Sequence, residues 1–259
     1  MGTSGSSPPQ GKKNYGFTPA EYSKVIAEHV EPWSFIKFPY LRDIGWKGFV
    51  DGPGSGIFRV APLARLNVAD GMATPLAQEE YEKMFETFGK KPVHNTLALH
   101  WARLIETLYN AERIAQSAND PVLISPDIRN MNLQTPKEGI GIVEAPRGTL
   151  IHHYKTDKNG VITGCNLIVA SLCNSAAMCM SVERAAKKLI KDGKVNDGLL
   201  NMVEMAFRAY DPCFGCATHS LPGKLPLLIN IHDQHSAVIN TLTRNINGEI
   251  INKRLKADC

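Results

Sequence analysis

No cysteine precedes Cys165, and no run of residues approaches the roughly 20 consecutive apolar positions needed to span a bilayer. The first absence removes any disulfide framework from the N-terminal part, and the second argues against a membrane span. Aromatics make up only 7% of the chain, and charge of one sign is not in excess: the formal net charge is +4 over 259 residues, with Lys and Arg interleaved among acids. Nucleic-acid binding therefore has no electrostatic footprint. Met1 to Lys13 is rich in Gly, Ser and Pro and lacks an apolar signal-peptide core, which points to a disordered leader over residues 1–14 and a soluble, cytoplasmic protein. There is no internal repeat, no second Cys-x-x-Cys and no paired-His motif.

What remains is an ordinary globular composition, 43% hydrophobic, on a chain long enough to bury a core. The pattern predicts a mainly helical protein with small β-hairpins, an α+β class. Thr18-Pro19-Ala20-Glu21 has the form of a capping box and predicts a helix to about Val30, where Glu31-Pro32 stops it. Trp33 to Thr74, rich in Gly, Pro and rings, predicts coil pinned by buried aromatics with a short strand at Gly56 to Val60. Helices are expected at Leu76 to Phe88 and Asn95 to Ser117, the second burying Leu97, Trp101, Leu104, Ile105 and Leu108. Gly141 to Ala170 alternates around a turn at Asp157 to Gly160 and predicts a hairpin. Helices at Ala176 to Lys191 and Asp197 to Tyr210 follow, the latter ended by Asp211-Pro212. Strands are expected at Leu227 to Ile231, Val238 to Thr243 and Glu249 to Ile251.

Six cysteines, Cys165, Cys173, Cys179, Cys213, Cys216 and Cys259, crowd into the last part of a chain too large to need staples, so reduced thiols are expected. Cys165, Cys173 and Cys179 lie among apolar residues and suit buried structural positions. Cys213 and Cys216 differ. Their spacing brings two sulfurs to one ion, and the loop after Pro212 exposes them. On spacing alone a zinc site, a thiol redox pair and another soft-metal site all stay open. Zinc would want four protein ligands, and a redox pair of the thioredoxin type would follow a strand, not a helix and a proline.

Asp211-Pro-Cys-Phe-Gly-Cys-Ala-Thr-His219 resembles the C-terminal signature of nickel-iron hydrogenase large subunits. Glu144-Ala-Pro-Arg-Gly-Thr-Leu-Ile-His152 is similar to a second signature of that family, and Gly71 through Gly139, with Asn95-Thr-Leu-Ala-Leu-His-Trp-Ala-Arg103, resembles its helical body. The likeness is greatest to the soluble, bidirectional or cofactor-coupled class, and only to the C-terminal half of such subunits. It implies a hydrogenase large-subunit-like helical body, incomplete, over residues 15–219, with 220–259 as a C-terminal extension that a maturation endopeptidase removes after His219.

The resemblance implies nickel, iron with diatomic ligands, and magnesium. Cys213 would be a terminal nickel ligand, Cys216 a bridge between nickel and iron, His219 a magnesium ligand, and the backbone carbonyl of Leu167 another. Arg147 would stand over the reacting position as a fixed positive charge; without the family it would read as an ion pair with Glu144. Ser171 would donate to a cyanide on iron, and His152 is the histidine that fits the Arg-Gly-x-Leu-x-His pattern, His153 turning to the other, solvated face. Ala170 and the Leu172-Cys173-Asn174 run depart from the family's usual residues. The family's N-terminal Cys-x-x-Cys pair and proton-transfer glutamate are missing. The chain then reads as a fragment, a split subunit or a degenerate copy, and the expected partners are an iron-sulfur small subunit, the maturation endopeptidase, electron-transfer subunits and, if the subunit is split, its N-terminal half. Activity is expected within such a complex, oxidising dihydrogen reversibly. The alternatives are a non-catalytic scaffold or degenerate fragment related to hydrogenase and complex I large subunits, or a simple zinc or thiol protein.

Overall fold

The computed structural model describes residues 16–52, 54–89, 91–132, 134–218, 227–233, 235, 237–244 and 249–254. The leader, His219 and Cys259 lie outside the described residues. The capping element forms as expected, the Glu21 carboxylate accepting from both the N–H and the hydroxyl of Thr18 at 3.0 and 2.8 Å. The helix it starts is short. A 3-10 turn, Pro19–Glu21, leads into α1 (Tyr22–Val25), after which the chain becomes strand β1 (Ile26–Val30), antiparallel to β2 (Lys37–Leu41) with Ile26 opposite Leu41. The expected helix to Val30 is thus corrected. Val25, Ile26 and Val30 are β-branched and favour extended backbone when a partner strand is available.

The aromatic segment after β1 is pinned by rings, as expected. Trp46 stacks on His29 with centroids 4.5 Å apart and meets Phe49 edge-on at 5.2 Å, and Phe49 in turn meets the buried ring of Phe38. Trp33 and Phe35, by contrast, are exposed. No ladder forms at Gly56 to Val60. Its backbone groups are used one at a time, Gly56 O accepting from Leu41 N–H and Val60 N–H donating to the buried Asn174 side chain at 2.9 Å. Helix α2 (Pro62–Val68) then begins, with proline in its first turn where the missing N–H is harmless.

Helices α3 (Pro75–Phe88) and α4 (Ala98–Ser117) pack with α2 and form the main apolar cluster, which includes Leu63, Leu66, Tyr81, Met84, Leu99, Ile105, Ala209 and Tyr210. The buried face of α4 is Ala98, Leu99, Ala102 and Ile105, while Leu97 and Leu104 are 71% and 67% exposed. The expected face holds at Ile105 and at Trp101 and Leu108, which pack partly buried against the cluster, and is corrected at Leu97 and Leu104. Alanines let the helix axes approach, and that close contact turns the larger leucines outward.

Strands β3 (Glu138–Ala145), β4 (Gly148–Thr156) and β5 (Ile162–Ile168) form one antiparallel meander, Ile142 pairing with Ile151 and Ile151 with Ile168. A second cluster, with Tyr22, Ile26, Ile151, Ile168, Leu172, Cys173 and Ala217, lies on this sheet. The 3-10 turn Ala170–Asn174 leads into α5 (Ser175–Leu189), and α6 (Asp197–Arg208) packs beside it. The short α7 (Phe214–Thr218) lies against the 3-10 turn. Beyond it, β6 (Leu227–His232), β7 (Val238–Arg244) and β8 (Ile250–Arg254) form a separate three-stranded sheet in the predicted places. Among the described residues no helix is long and apolar enough to cross a membrane.

Candidate metal centre

The motif is aimed by a reversal of the chain at the end of α6. Asp211 adopts φ 52, a left-handed conformation that Asp tolerates better than most residues, and Pro212 prevents the helix from continuing. Cys213 then begins the turn that becomes α7, its carbonyl accepting from Ala217 N–H at 3.0 Å. Cys213 and Cys216 lie one turn apart, with Cα atoms 5.3 Å from each other, and their sulfurs are joined as a disulfide. That corrects the expectation of reduced thiols at this pair: the spacing that brings two sulfurs to one ion also lets them meet. Cys213 is half-buried and Cys216 exposed.

Ser171, 3% exposed in the 3-10 turn before α5, accepts from Cys213 N–H at 3.0 Å. This ties the two sequence-predicted residues together across 42 positions. Arg147, in the turn between β3 and β4, donates from Nε to the Asp211 carbonyl at 2.8 Å and pairs with its carboxylate at 3.1 Å. The alternative pairing of Arg147 with Glu144 does not form: Glu144 instead accepts from Arg65 at 3.1 Å and from the Thr149 hydroxyl at 2.6 Å. Arg147, Asp211, Cys213 and Ser171 therefore form one connected group.

Other predicted residues sit further along the sheet. His152, in β4, stands opposite Leu167 of β5 and bonds the Tyr154 hydroxyl at 2.9 Å. Leu167 shares a cavity of about 240 Å³ with Leu172 and Ala217, which places its strand end beside the turn and helix that carry the motif. His153 is not the solvated residue expected: its ring bonds the buried Tyr22 hydroxyl at 2.8 Å and the Glu138 carboxylate at 2.7 Å. The bond from His153, and after it the charge of Lys155, hold Glu138 below the usual carboxylate range. Cys173 is buried, and burial pushes its thiol up to about 12; Cys179 is half-buried and pushed up to about 11. Cys165 is exposed, against expectation, because it falls on the outward face of β5.

Sequence reasoning missed the charged groups behind Arg147. Arg65 and Arg103 border a cavity of about 540 Å³ together with Glu106, Pro146 and Asp211. Arg103 donates to the Ala209 carbonyl at 3.3 Å and stands 3.8 Å from the Asp211 carboxylate; burial, only partly offset by Asp211, lowers its affinity for its proton. Asp211 was visible within the motif, but nothing in the local pattern of α2 or α4 marks Arg65 or Glu106.

A helical body joined to a small antiparallel sheet, with a Cys-x-x-Cys turn held by a serine and faced by an arginine, is the architecture of a nickel-dependent hydrogenase. Residues 4–219 match that family, and the chain belongs to it. It is 48% identical over 234 residues to an F420-non-reducing hydrogenase iron-sulfur subunit from Archaeoglobus profundus, covering 90% of this chain and 48% of that protein. It is 40% identical over 232 residues to the "NAD-reducing hydrogenase HoxS subunit beta" of Cupriavidus necator, covering 86% and 45%. The solved structure of an NAD+-reducing [NiFe]-hydrogenase in the H2-reduced state superposes with TM-score 0.71 and 42% identity, covering 78% of this chain and 43% of that one. The chain spans about half the length of the curated relatives it matches.

Proposed function

We propose that this chain is the C-terminal part of a nickel-iron hydrogenase large subunit that oxidises dihydrogen reversibly. It would do so once an N-terminal half, with the remaining thiolates, and an iron-sulfur small subunit complete it. The observation that carries the proposal is the bond from Cys213 N–H to Ser171 Oγ together with the Arg147–Asp211 pair. These contacts bring two separate sequence signatures to one place.

The donor set fits one side of such a centre. Two sulfurs one turn apart suit soft transition metals once reduced and deprotonated. Among the described residues no group of three or more His, Cys, Asp or Glu is arranged for one ion, and the proposal draws the other thiolates from the N-terminal half. When bound, the nickel-iron pair supplies the Lewis-acid and redox chemistry that splits dihydrogen. Cys213 would hold nickel and Cys216 would bridge nickel and iron. His219, with the Leu167 carbonyl, would hold magnesium, an ion that takes harder donors.

The protein's own residues supply position and field. Arg147 keeps a permanent positive charge beside the thiol turn, fixed in direction by Asp211. Ser171 uses its oxygen to accept from Cys213, which leaves its hydroxyl hydrogen to donate to a ligand on iron. Glu144 accepts from Arg65, which also bonds the two carbonyls before Arg147, while His152, further along the sheet, bonds the Tyr154 hydroxyl. The acceptor of the electrons belongs to the other subunits. A cytoplasmic setting accords with the likeness to an NAD-reducing hydrogenase, NAD being a soluble carrier.

The test is metal analysis and hydrogen uptake of the chain purified with the polypeptides that complete it, alongside Cys213→Ser. Nickel and iron in comparable amounts, lost in the variant together with uptake, support the proposal. Zinc alone, no metal, or uptake unchanged by the substitution would overturn it.

A further inference from the structure

The turn that carries Arg147 is short, and a short turn does not by itself fix a long side chain. Arg65, on α2, reaches this turn from behind. All five N–H donors of its guanidinium are engaged: Nε and one terminal nitrogen grip both oxygens of Glu106 on α4 at 2.7 and 2.6 Å. The other bonds run to the Glu144 carboxylate at 3.1 Å, the Ala145 carbonyl at 2.9 Å and the Pro146 carbonyl at 3.1 Å. Ala145 and Pro146 are the two residues immediately before Arg147. On its other side the turn is closed by Gly148, at φ 128, where any Cβ would collide with Val60.

We propose that Arg65 is a positioning residue: anchored by Glu106, it clamps the Ala145 and Pro146 carbonyls and so aims Arg147 at Asp211 and the Cys213 turn. The proposal deepens the hydrogenase reading, since its purpose is to orient the charge that reading places at the reacting position. Only an arginine meets the requirement. A lysine has three donors radiating from one nitrogen and cannot hold a bidentate carboxylate and two adjacent carbonyls at once.

The site is readable without metal. In the full chain labelled with 15N-arginine, the Nε–H of Arg147, bonded to Asp211, is followed by its exchange with solvent; Arg147→Lys assigns its resonance. Arg65→Lys is expected to speed that exchange by about tenfold or more, beyond any change in the exchange of core amides of α3 and α4. Glu106→Gln removes the anchor's charge but not the clamp, and should give a smaller increase in the same resonance. If Arg65→Lys does not fold, Glu106→Gln decides alone. Unchanged Arg147 exchange in the folded variants, or a change matched by the core amides, would overturn the proposal. Because the readout needs neither nickel nor hydrogen, its failure is distinct from failure of the hydrogenase reading.

Discussion

Arg147 Nε donates to the backbone carbonyl of Asp211 at 2.8 Å, and the same nitrogen pairs with the Asp211 carboxylate at 3.1 Å. A double hold of this kind on a residue two positions before Cys213 makes the guanidinium and the thiol turn one mechanical unit. Arg147→Lys keeps the charge and loses the fixed direction, because an ammonium on a flexible stem does not reproduce a planar guanidinium. In the completed assembly, hydrogen turnover is expected to fall about 10²- to 10³-fold with nickel and iron content unchanged, the loss typical of removing one oriented group from a charge-stabilising site. Turnover within a factor of a few of wild type would sink the role given to Arg147.

Ser171→Ala takes from Cys213 N–H its acceptor, the hydroxyl of a residue 3% exposed, and leaves the donor on the half-buried Cys213. Losing a hydrogen bond at a half-buried donor costs about 0.5–1.5 kcal/mol. The expected result is a fall of several degrees in the thermal midpoint and easier reduction-dependent opening of the Cys213 turn, measured by the rate at which Cys213 is alkylated after mild reduction. A midpoint unchanged from wild type would show that the serine does not hold the turn.

How much of this was legible beforehand differs by scale. The motif turn, the β4–β5 hairpin and the helices α3, α5 and α6 follow from local signals such as Asp211-Pro212 and the turn after Asp157, which act within a few residues, whereas β3, which makes the hairpin a meander, was not expected. The end of α1 was not legible, because Ile26–Val30 becomes a strand only when β2 is there to pair with it. The face of α4 was legible at Trp101, Ile105 and Leu108 and misread at Leu97 and Leu104, because leucine count marks apolarity, whereas close helix packing selects Ala98 and Ala102. The site shows the same division. Cys213, Cys216, Arg147 and Ser171 stand in recognisable runs, but the Arg65–Glu106 pair joins α2 to α4 and leaves no local trace.

The free thiols separate by burial. Cys165 is exposed, Cys179 is half-buried and Cys173 is buried beneath the β3–β5 sheet, its thiol pushed up to about 12. Since thiolate is the reactive form, a thiol reagent at about pH 8 should modify Cys165 quickly and Cys173 only after unfolding. The sign for stability follows. In the unfolded chain Cys173 releases its proton above about pH 8.5, while the folded chain retains it to about 12, so the unfolded state binds fewer protons and stability falls as pH rises through that window. Cys173→Ala should flatten this alkaline loss in urea unfolding followed between about pH 8 and 10. An unchanged slope, or rapid labelling of Cys173 in the native protein, would contradict the burial argument.

The extension after His219 makes the last prediction. Strands β6 to β8 pair only with one another among the described strands, Leu227 with Arg244 and Arg244 with Ile250, and none completes the β3–β5 meander. The side chain of Ile239 does lie against Gly193, so the sheet touches the body but contributes no strand to it. Removing Ser220 to Cys259 would therefore take no strand from the β3–β5 ladder and, among the described residues, no member of the two apolar clusters. If metal insertion licenses the cut, the chain isolated from nickel-supplied cells that contain its maturation endopeptidase should end at His219 by intact mass. Chain from nickel-starved cells should retain all 259 residues. A single uncut mass under both conditions would assign the sheet a permanent place in the protein, and a cut independent of nickel would separate processing from the metal centre.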